Sequence, residues 1–534
     1  MVLYIRKEKS TVEIPKMSYK GIKRIEIPYT DGDFSPENGY GLSIFKKYMG
    51  RIFSTHEKNA EKVAYFWEYM RGEQDIELKT RPYDKDAYNN NKITENHAFR
   101  QTQFKVGFLT GDTREYTHKS DVKSDDLTYL GRYFTDVDFF SKDKDLKEWI
   151  YATGIGVDYI APRTDIILQT NRVAIDGSPI LRYATKADGY NIETEAPFEY
   201  DVLSPVDNFV VYSSGRKKEP LFCVSIVDQD VGKNDEIDLQ KHITIETRYA
   251  YFECECDNRY RNVSDVVKLD LPDKTLRYLP MTEHSVNSSR IGLVELNRPL
   301  FNLVNMLLSN IADMVVQNSN VIFVFKGVDM TADEIRDMIA AGAIILPIVQ
   351  GNASVQPDLT TLKVEIPFDG LDQYYEQRIS KMYDIAGVPL ASGQVTSGGD
   401  TGDARRLGGG WENAYTLINN DIRTLLRGDY EILKKILMIC RTVPNCPVNE
   451  LYASQIDIKY NINKNDNLLV KAQSIRELYN SNMPKKHILK AAQLFNDIDT
   501  VADDWDRKDE EIKAEEKAAE TTTADADGVI ISQE

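Results

Sequence analysis

"GVPLASGQVTSGGDTGDARRLGGGW", residues 387–411, holds eight of the chain's 30 glycines, and its only positive charges are Arg405 and Arg406. A glycine-rich loop that runs into a helix can cradle phosphate, which would make this a nucleotide-binding fold. No G-x-x-x-x-G-K-[S/T] occurs, so the lysine and the magnesium-binding hydroxyl of such a site are missing. No strand pattern precedes the stretch, and "GDTGDARRLGGG" fits no dinucleotide fingerprint. The segment therefore reads as a flexible connection between two helices.

The flanks support that reading. Upstream, "GLDQYYEQRISKMYDIAG" (370–387) has helical spacing. Downstream, Trp411, Tyr415, Ile418, Ile422, Leu425, Leu433 and Leu437 repeat at helical intervals, with Gly428 placed to bend the helix. Further upstream, residues 291–318 carry a stripe of Leu300, Val304, Leu307, Ile311, Met314 and Val315. A helix starting near Arg298 would put Pro299 in its first turn, where a missing N–H does little harm. Between these helices lies a small unit: "NVIFVFKG" as strand, "TADEIRDMIAAG" as helix, "AIILPIV" and "LKVEIP" as strands. Thr331 and Glu334 stand at capping-box spacing.

Toward the N-terminus, residues 43–70 put Ile44, Tyr48 and Ile52 on one helical face and Val63, Phe66 and Met70 on another. A second amphipathic segment follows near 94–109. From 150 to 280 the texture turns β-rich, as in "DVLSPVDNFVVYSS" and "HITIETRYAYFECECD". Residues 1–290 read as one α+β body. Beyond the long helix, "NLLVKAQSIRELYNSN" and "PKKHILKAAQLF" read as shorter helices, and 507–534 as a disordered acidic tail.

Composition narrows the function classes. The 534 residues, 42% hydrophobic and 28% charged, are those of a folded chain. No apolar run approaches the roughly 20 residues needed to span a bilayer, and the N-terminus lacks the regions of a secretory signal. The five cysteines are odd in number and sparse, which argues against a disulfide framework. A net charge of −18 argues against prolonged gripping of nucleic acid, which depends on Lys and Arg. Transient passage of DNA along such a surface stays open.

Catalytic and metal motifs are lacking. Cys254 and Cys256 share one strand face with no second ligand pair at zinc spacing. The six histidines are scattered. "DDWD" (503–506) reads as a solvated turn, and no G-x-S-x-G elbow is present. No catalytic, cofactor or metal residue is expected.

Several segments, taken in order, resemble the portal proteins of tailed double-stranded DNA bacteriophages, in particular the long-tailed type from Gram-positive hosts. They are "YFWEYMRGEQDI", "NNNKITENHAFRQTQFKVGFLTGD", "WIYATGIGVDYI", "DVLSPVDNFVVYSSGRKKEPLFCVSIVD", "LPMTEHSVNSSRIGLVELNRPLFNLVNMLLSNIADMVVQNSNVIFVFKG" and "MYDIAGVPLASG". The likeness spans roughly residues 44–500. It implies an α+β portal fold assembled as a ring of twelve subunits at one capsid vertex, with no enzymatic activity. Residues 1–290 would be the wing, 291–318 a stem helix, 319–368 the α/β clip and 369–386 a second stem helix. The tunnel loop would be 387–401, the long wing helix 402–442 and a helical crown 443–506.

The resemblance also implies partners: double-stranded DNA in transit, major capsid and scaffolding proteins, a terminase motor and a head-completion adaptor, with no membrane. The protein would reside in the virion after assembly in the host bacterial cytoplasm. The tunnel loop would present Ser392, Gly393, Gln394, Val395, Thr396, Ser397, Gly398 and Gly399 to the bore. Glycine lowers the cost of changing backbone conformation, and short polar side chains touch phosphates without locking onto them. Arg405 and Arg406 would contact either DNA or the acidic groups of the next subunit. Family members usually run from the loop straight into a helix, whereas Gly408 to Gly410 interrupt one here. The helix either begins at Trp411 or is kinked there. The alternative function is a structural virion or assembly protein that does not conduct DNA.

Overall fold

The structure is a computed structural model. It describes residues 21–80, 90–111, 113–119, 125–173, 179–230, 239–257, 262–269, 274, 276–319, 322–326, 331, 333–334, 358–362, 368–390, 411–462, 468–481, 483–492 and 501–514. These fall into two compact units, 21–390 with 411–462 and, separately, 468–514.

The first unit opens with β1 (Ile25–Ile27), α1 (Leu42–Met70), α2 (His97–Thr110), β2 (Glu115–His118), α3 (Asp126–Asp136) and α4 (Phe139–Thr153). Ten strands follow among the described residues: β3 (Gly156–Pro162), β4 (Ile167–Val173), β5 (Pro179–Tyr183), β6 (Phe198–Leu203), β7 (Asn208–Ser213), β8 (Pro220–Asp230), β9 (Leu239–Thr247), β10 (Tyr251–Cys256), β11 (Val267–Lys268) and β12 (Met281–His284). Then come α5 (Leu293–Ser319), β13 (Ile322–Lys326), β14 (Asp358–Leu362), α6 (Phe368–Ala386), α7 (Trp411–Thr442) and β15 (Ile456–Lys459). The second unit holds α8 (Leu468–Asn480), α9 (Lys485–Ala492) and a helical stretch over 501–514.

The larger sheet runs β1-β7-β8-β9-β10-β11, with β1 parallel to β7 and the other pairs antiparallel. The first half of α1 covers it. Ile44, Phe45, Ile52 and Phe53 bury against Phe222, Ile245, Phe252, Cys254 and Cys256. The two faces expected on this helix therefore meet different partners, because Val63, Phe66 and Met70 pack instead into a core with α2, α4, α5, α6 and the start of α7. A second sheet, β12-β3-β6, lies under α7. The second half of α7 (Ile432, Leu433, Ile436 and Leu437) joins α3 and β6 in a third core. The chain is α+β, as its texture implied.

Several expectations need correcting. The helix placed near Arg298 starts at Leu293, so Pro299 lies inside α5 and leaves the Glu295 carbonyl without its helical donor. Tertiary bonds hold that turn: the Gly21 N–H donates to the Glu295 carboxylate at 3.3 Å, and Asn297 donates to Gln101 Oε1 at 2.9 Å and the Met382 carbonyl at 3.0 Å. α5 also contains a stretch, Leu293–Val316, long and apolar enough to cross a membrane, contrary to the expectation that no such run exists. Its leucines, valines and methionines outweigh the polar residues in the average, although those polar residues organise the unit.

Gly428 is a point of close approach. A Cβ there would stand 2.2 Å from His284 Nδ1. Residues 443–462, placed in a helical crown, belong to the first unit and carry β15, which pairs antiparallel with β2. Of the strand expected at 362–367, Leu362 lies in Asp358–Leu362, which pairs with β13, and 363–367 lie outside the described residues. The capping box of Thr331 and Glu334 forms, with the Thr331 N–H donating to the Glu334 carboxylate at 2.9 Å. In the second unit the helix continues to residue 514, past the point at which disorder was expected, and "DDWD" is helical. Asp506 and Asp509 accept from Lys485, and Tyr479 stacks on Trp505, which fastens that helix to α8 and α9. Residues 515–534 lie outside the described residues.

Candidate functional site

Helix α5 is held by its polar side. Asn305, Ser309 and Asp313 recur every four residues on a buried stripe. Beside them runs an extended segment whose alternate N–H groups donate inward. Asn91 donates to Asp313 Oδ1 at 2.7 Å, Ile93 to Ser309 Oγ at 2.9 Å and Glu95 to Asn305 Oδ1 at 3.0 Å. The spacing explains the match: four helical residues rise about 6 Å and two extended residues about 6.6 Å. Lys79 Nζ closes the far end on Asp313 Oδ2 at 2.8 Å, both side chains being buried. Nearer the N-terminus, Asn302 Nδ2 donates to Asp75 Oδ2 at 2.7 Å, and Asn302 Oδ1 accepts from the Tyr69 hydroxyl at 2.7 Å.

Helix α6 leads from this framework to the glycine-rich stretch, and its end is fixed. The Tyr383 hydroxyl lies 3.0 Å from His97 Nδ1, and Tyr375 donates to Glu95 Oε2 at 2.6 Å. Burial lowers the pKa of His97 and raises that of Tyr383, so the pair is neutral near pH 7. At Gly387 the chain turns out of the helix with φ +62°, and a Cβ there would meet Leu417 Cδ1 at 2.3 Å. Val388 N–H returns to the Tyr383 carbonyl at 3.0 Å. On the other side, Trp411 starts α7 within a cluster of Phe104, Phe108 and Tyr415. Both ends of the segment between are anchored in the same core.

Buried charges secure α7 behind those anchors. Lys105 stands 3.7 Å from Asp421, which also accepts from the Tyr151 hydroxyl at 3.0 Å. Further along, Arg114 and Lys147 face Asp143 and Asp429 in a fully buried set of two cations and two anions. Burial opposes ionisation of Asp429, yet Arg114 and Lys147 outweigh it and hold its pKa at about 2. Breaking such a set by removing one member costs about 3–5 kcal/mol, because a charge stays behind unpaired.

The residues expected to face DNA are outside this picture. Ser392, Gly393, Gln394, Val395, Thr396, Ser397, Gly398 and Gly399, with Arg405 and Arg406, lie among 391–410, outside the described residues. Among the described residues no group of three or more His, Cys, Asp or Glu side chains could hold a metal ion. Sequence reading missed the ladder of Asn305, Ser309 and Asp313. Its four-residue period was visible in the sequence, but attention to the apolar stripe hid it.

The opposite face of α5 is apolar and exposed. Leu296, Leu303, Met306 and Met314 lie along one line of the helix, and each is more than a third exposed. Met314 and Val315 were expected in the buried stripe, but they lie beyond the last rung at Asp313 and are open. Phe368, Tyr374 and Ile385 of α6 are also exposed. Large contiguous apolar surfaces of this kind mark sites of association.

The family model described as phage portal protein, SPP1 Gp6-like, matches residues 50–515. A comparison with curated proteins gave no match.

Proposed function

The chain belongs to the phage portal protein family, and we propose that it forms a closed ring of twelve copies at one capsid vertex through which DNA is packaged and ejected. In this reading α5 and α6 are the stem and the tunnel loop, 387–401, faces the bore. Residues 1–290 with the long helix of 402–442 are the wing, 319–368 are the clip, and the second unit contributes to the crown. The terminase motor and the head-completion adaptor would meet the clip. Capsid and scaffolding proteins would meet the wing.

The observation that carries the reading is the pairing of anchored loop ends with an unburied apolar stripe on α5. A segment rich in glycine and held firmly at both ends can change conformation without loosening the body. Such tolerance suits a polyanion that must slide past subunits whose symmetry differs from its own. An acidic chain with few cations in that segment would not neutralise many phosphates at once, so the duplex is not trapped.

Imaging of purified, assembled protein down its symmetry axis, with native mass measurement, tests the proposal. A closed ring with a hole wide enough for duplex DNA is expected. A filled or open assembly would favour a structural protein that does not conduct DNA, and a persistent monomer under assembly conditions would reject both.

A further inference from the structure

The second unit is short of core. Among its described residues, Ile488, Leu489 and Ala502 are the apolar side chains that are fully buried, and so small a unit gains little from burial on its own. Its helices leave an open hollow of about 520 Å³, floored by Ile475 of α8, Leu489 of α9, and Val501 and Trp505 of the helix over 501–514. The stripe that supplies half of this floor runs on past it. Val501, Trp505, Lys508 and Ile512 recur at four- and three-residue steps on one side of the helix. Ile512, one turn beyond the rim at Lys508, is 52% exposed. One helix thus carries a hole at Trp505 and a knob at Ile512, about 10 Å apart along its axis. A rigid helix does not fold its own knob into its own hole.

Resting on the ring reading above, we propose that Ile512 of one copy seats in this hollow on the next copy, joining the second units head to tail. The knob is apolar and so is the floor it would meet, and the contact removes both from water. The charges around them are complementary. At the rim of the hollow Arg507 and Lys508 outnumber Asp504, whereas beside Ile512 the exposed Glu510 and Glu511 outnumber Lys513. A knob and a hole on different parts of one surface make a heterologous contact, in which each copy gives its knob forward and receives one from behind. Repeated around a closed ring, such a contact leaves no knob and no hole unfilled. Opposite charge at the rim then sets which neighbour is accepted and in which direction.

The test uses the full-length chain carrying Asp504→Cys and Ile512→Cys together. Both positions are exposed, and the surface pair that Asp504 makes with Arg507 is worth little, so the substitutions leave the fold intact. Eight helical residues place them about 12 Å apart, too far for a disulfide within one helix. The five native cysteines are buried. Assembled protein, its mass checked in the native state, is oxidised mildly and then separated under denaturing conditions without reductant. A ladder of covalent species that climbs past the dimer is expected, collapsing to monomer with reductant, while either substitution alone should leave monomers. Rings that form and yield no ladder would overturn this contact and leave the ring reading standing. A ladder that stops at the dimer would also overturn it, because two copies would then be pairing reciprocally. Protein that never assembles would remove the ring reading and this contact with it.

Discussion

Replacing Asp313 by alanine should release the extended segment from α5. The carboxylate is buried and holds Lys79 at 2.8 Å, while Asn91 reaches it through its N–H at 2.7 Å and its side-chain amide at 2.9 Å. An ammonium left buried without its partner costs about 3–5 kcal/mol. Each lost hydrogen bond alone is worth about 1 kcal/mol, but the groups touch, so the contributions do not simply add. A local destabilisation of about 4 kcal/mol is expected, most of it from Lys79. Because about 1.4 kcal/mol is a factor of ten, amide exchange at Asn91, Ile93 and Glu95 should accelerate by roughly a thousandfold, up to the limit set by global unfolding. Hydrogen exchange read peptide by peptide measures this. Adding Lys79→Met to Asp313→Leu should recover much of the protection, since no charge is then stranded. Unchanged exchange at the three amides in Asp313→Ala, or a double variant no better than the single, would refute the reasoning.

Gly428→Ala should lower thermal stability by about 2 kcal/mol or more, because the new methyl displaces the His284 ring from Asp158, now 3.0 Å away; an unchanged melting temperature would show that the ring has room. His56 stacks on Phe209 and lies 2.8 Å from the Val206 carbonyl, and burial lowers its pKa from the ordinary 6.5 to about 4. The unfolded chain then binds a proton first, so stability present above pH 6.5 is lost as pH falls toward 4, by up to about 3 kcal/mol. Denaturation midpoints across that window should fall for the wild type, and the His56 share of that fall should vanish in His56→Gln. Met306→Glu on the exposed stripe of α5 should leave the melting of the monomer unchanged but block ring formation, read by native mass; rings that still form would remove this stripe from the interface.

Much of the helical framework was legible because long periodic segments announce themselves. The helix expected over 291–318 and the one over 370–387 lie within one to three residues of α5 and α6. What misled was local reasoning about residues whose role is tertiary. Pro299 argued for a later start, yet Glu295 and Asn297 are bonded to residues about 275, 195 and 85 positions away, and no window of sequence reveals that. The close approach of Gly428 to His284 is equally remote in sequence. Asp509 looked like part of a solvated tail because its charge is common to many such tails; only Lys485 distinguishes it.

α5 departs from the usual order of a surface helix, which buries apolar groups and exposes polar ones: beside buried Val294, Phe301 and Val304 it also buries a polar stripe. Here Asn297, Asn305, Ser309 and Asp313 are inside, while Leu296, Leu303 and Met306 are outside. Asn305, Ser309 and Asp313 each bond to the extended segment beside them, and such a network fixes register more tightly than leucines would. The outer stripe would cost a monomer solubility, a burden removed when a like surface covers it. A helix built this way is specified twice, by hydrogen bonds toward its own chain and by apolar contact away from it. The glycine-rich segment leaves the end of α6 from a framework that the chain's own hydrogen bonds already hold.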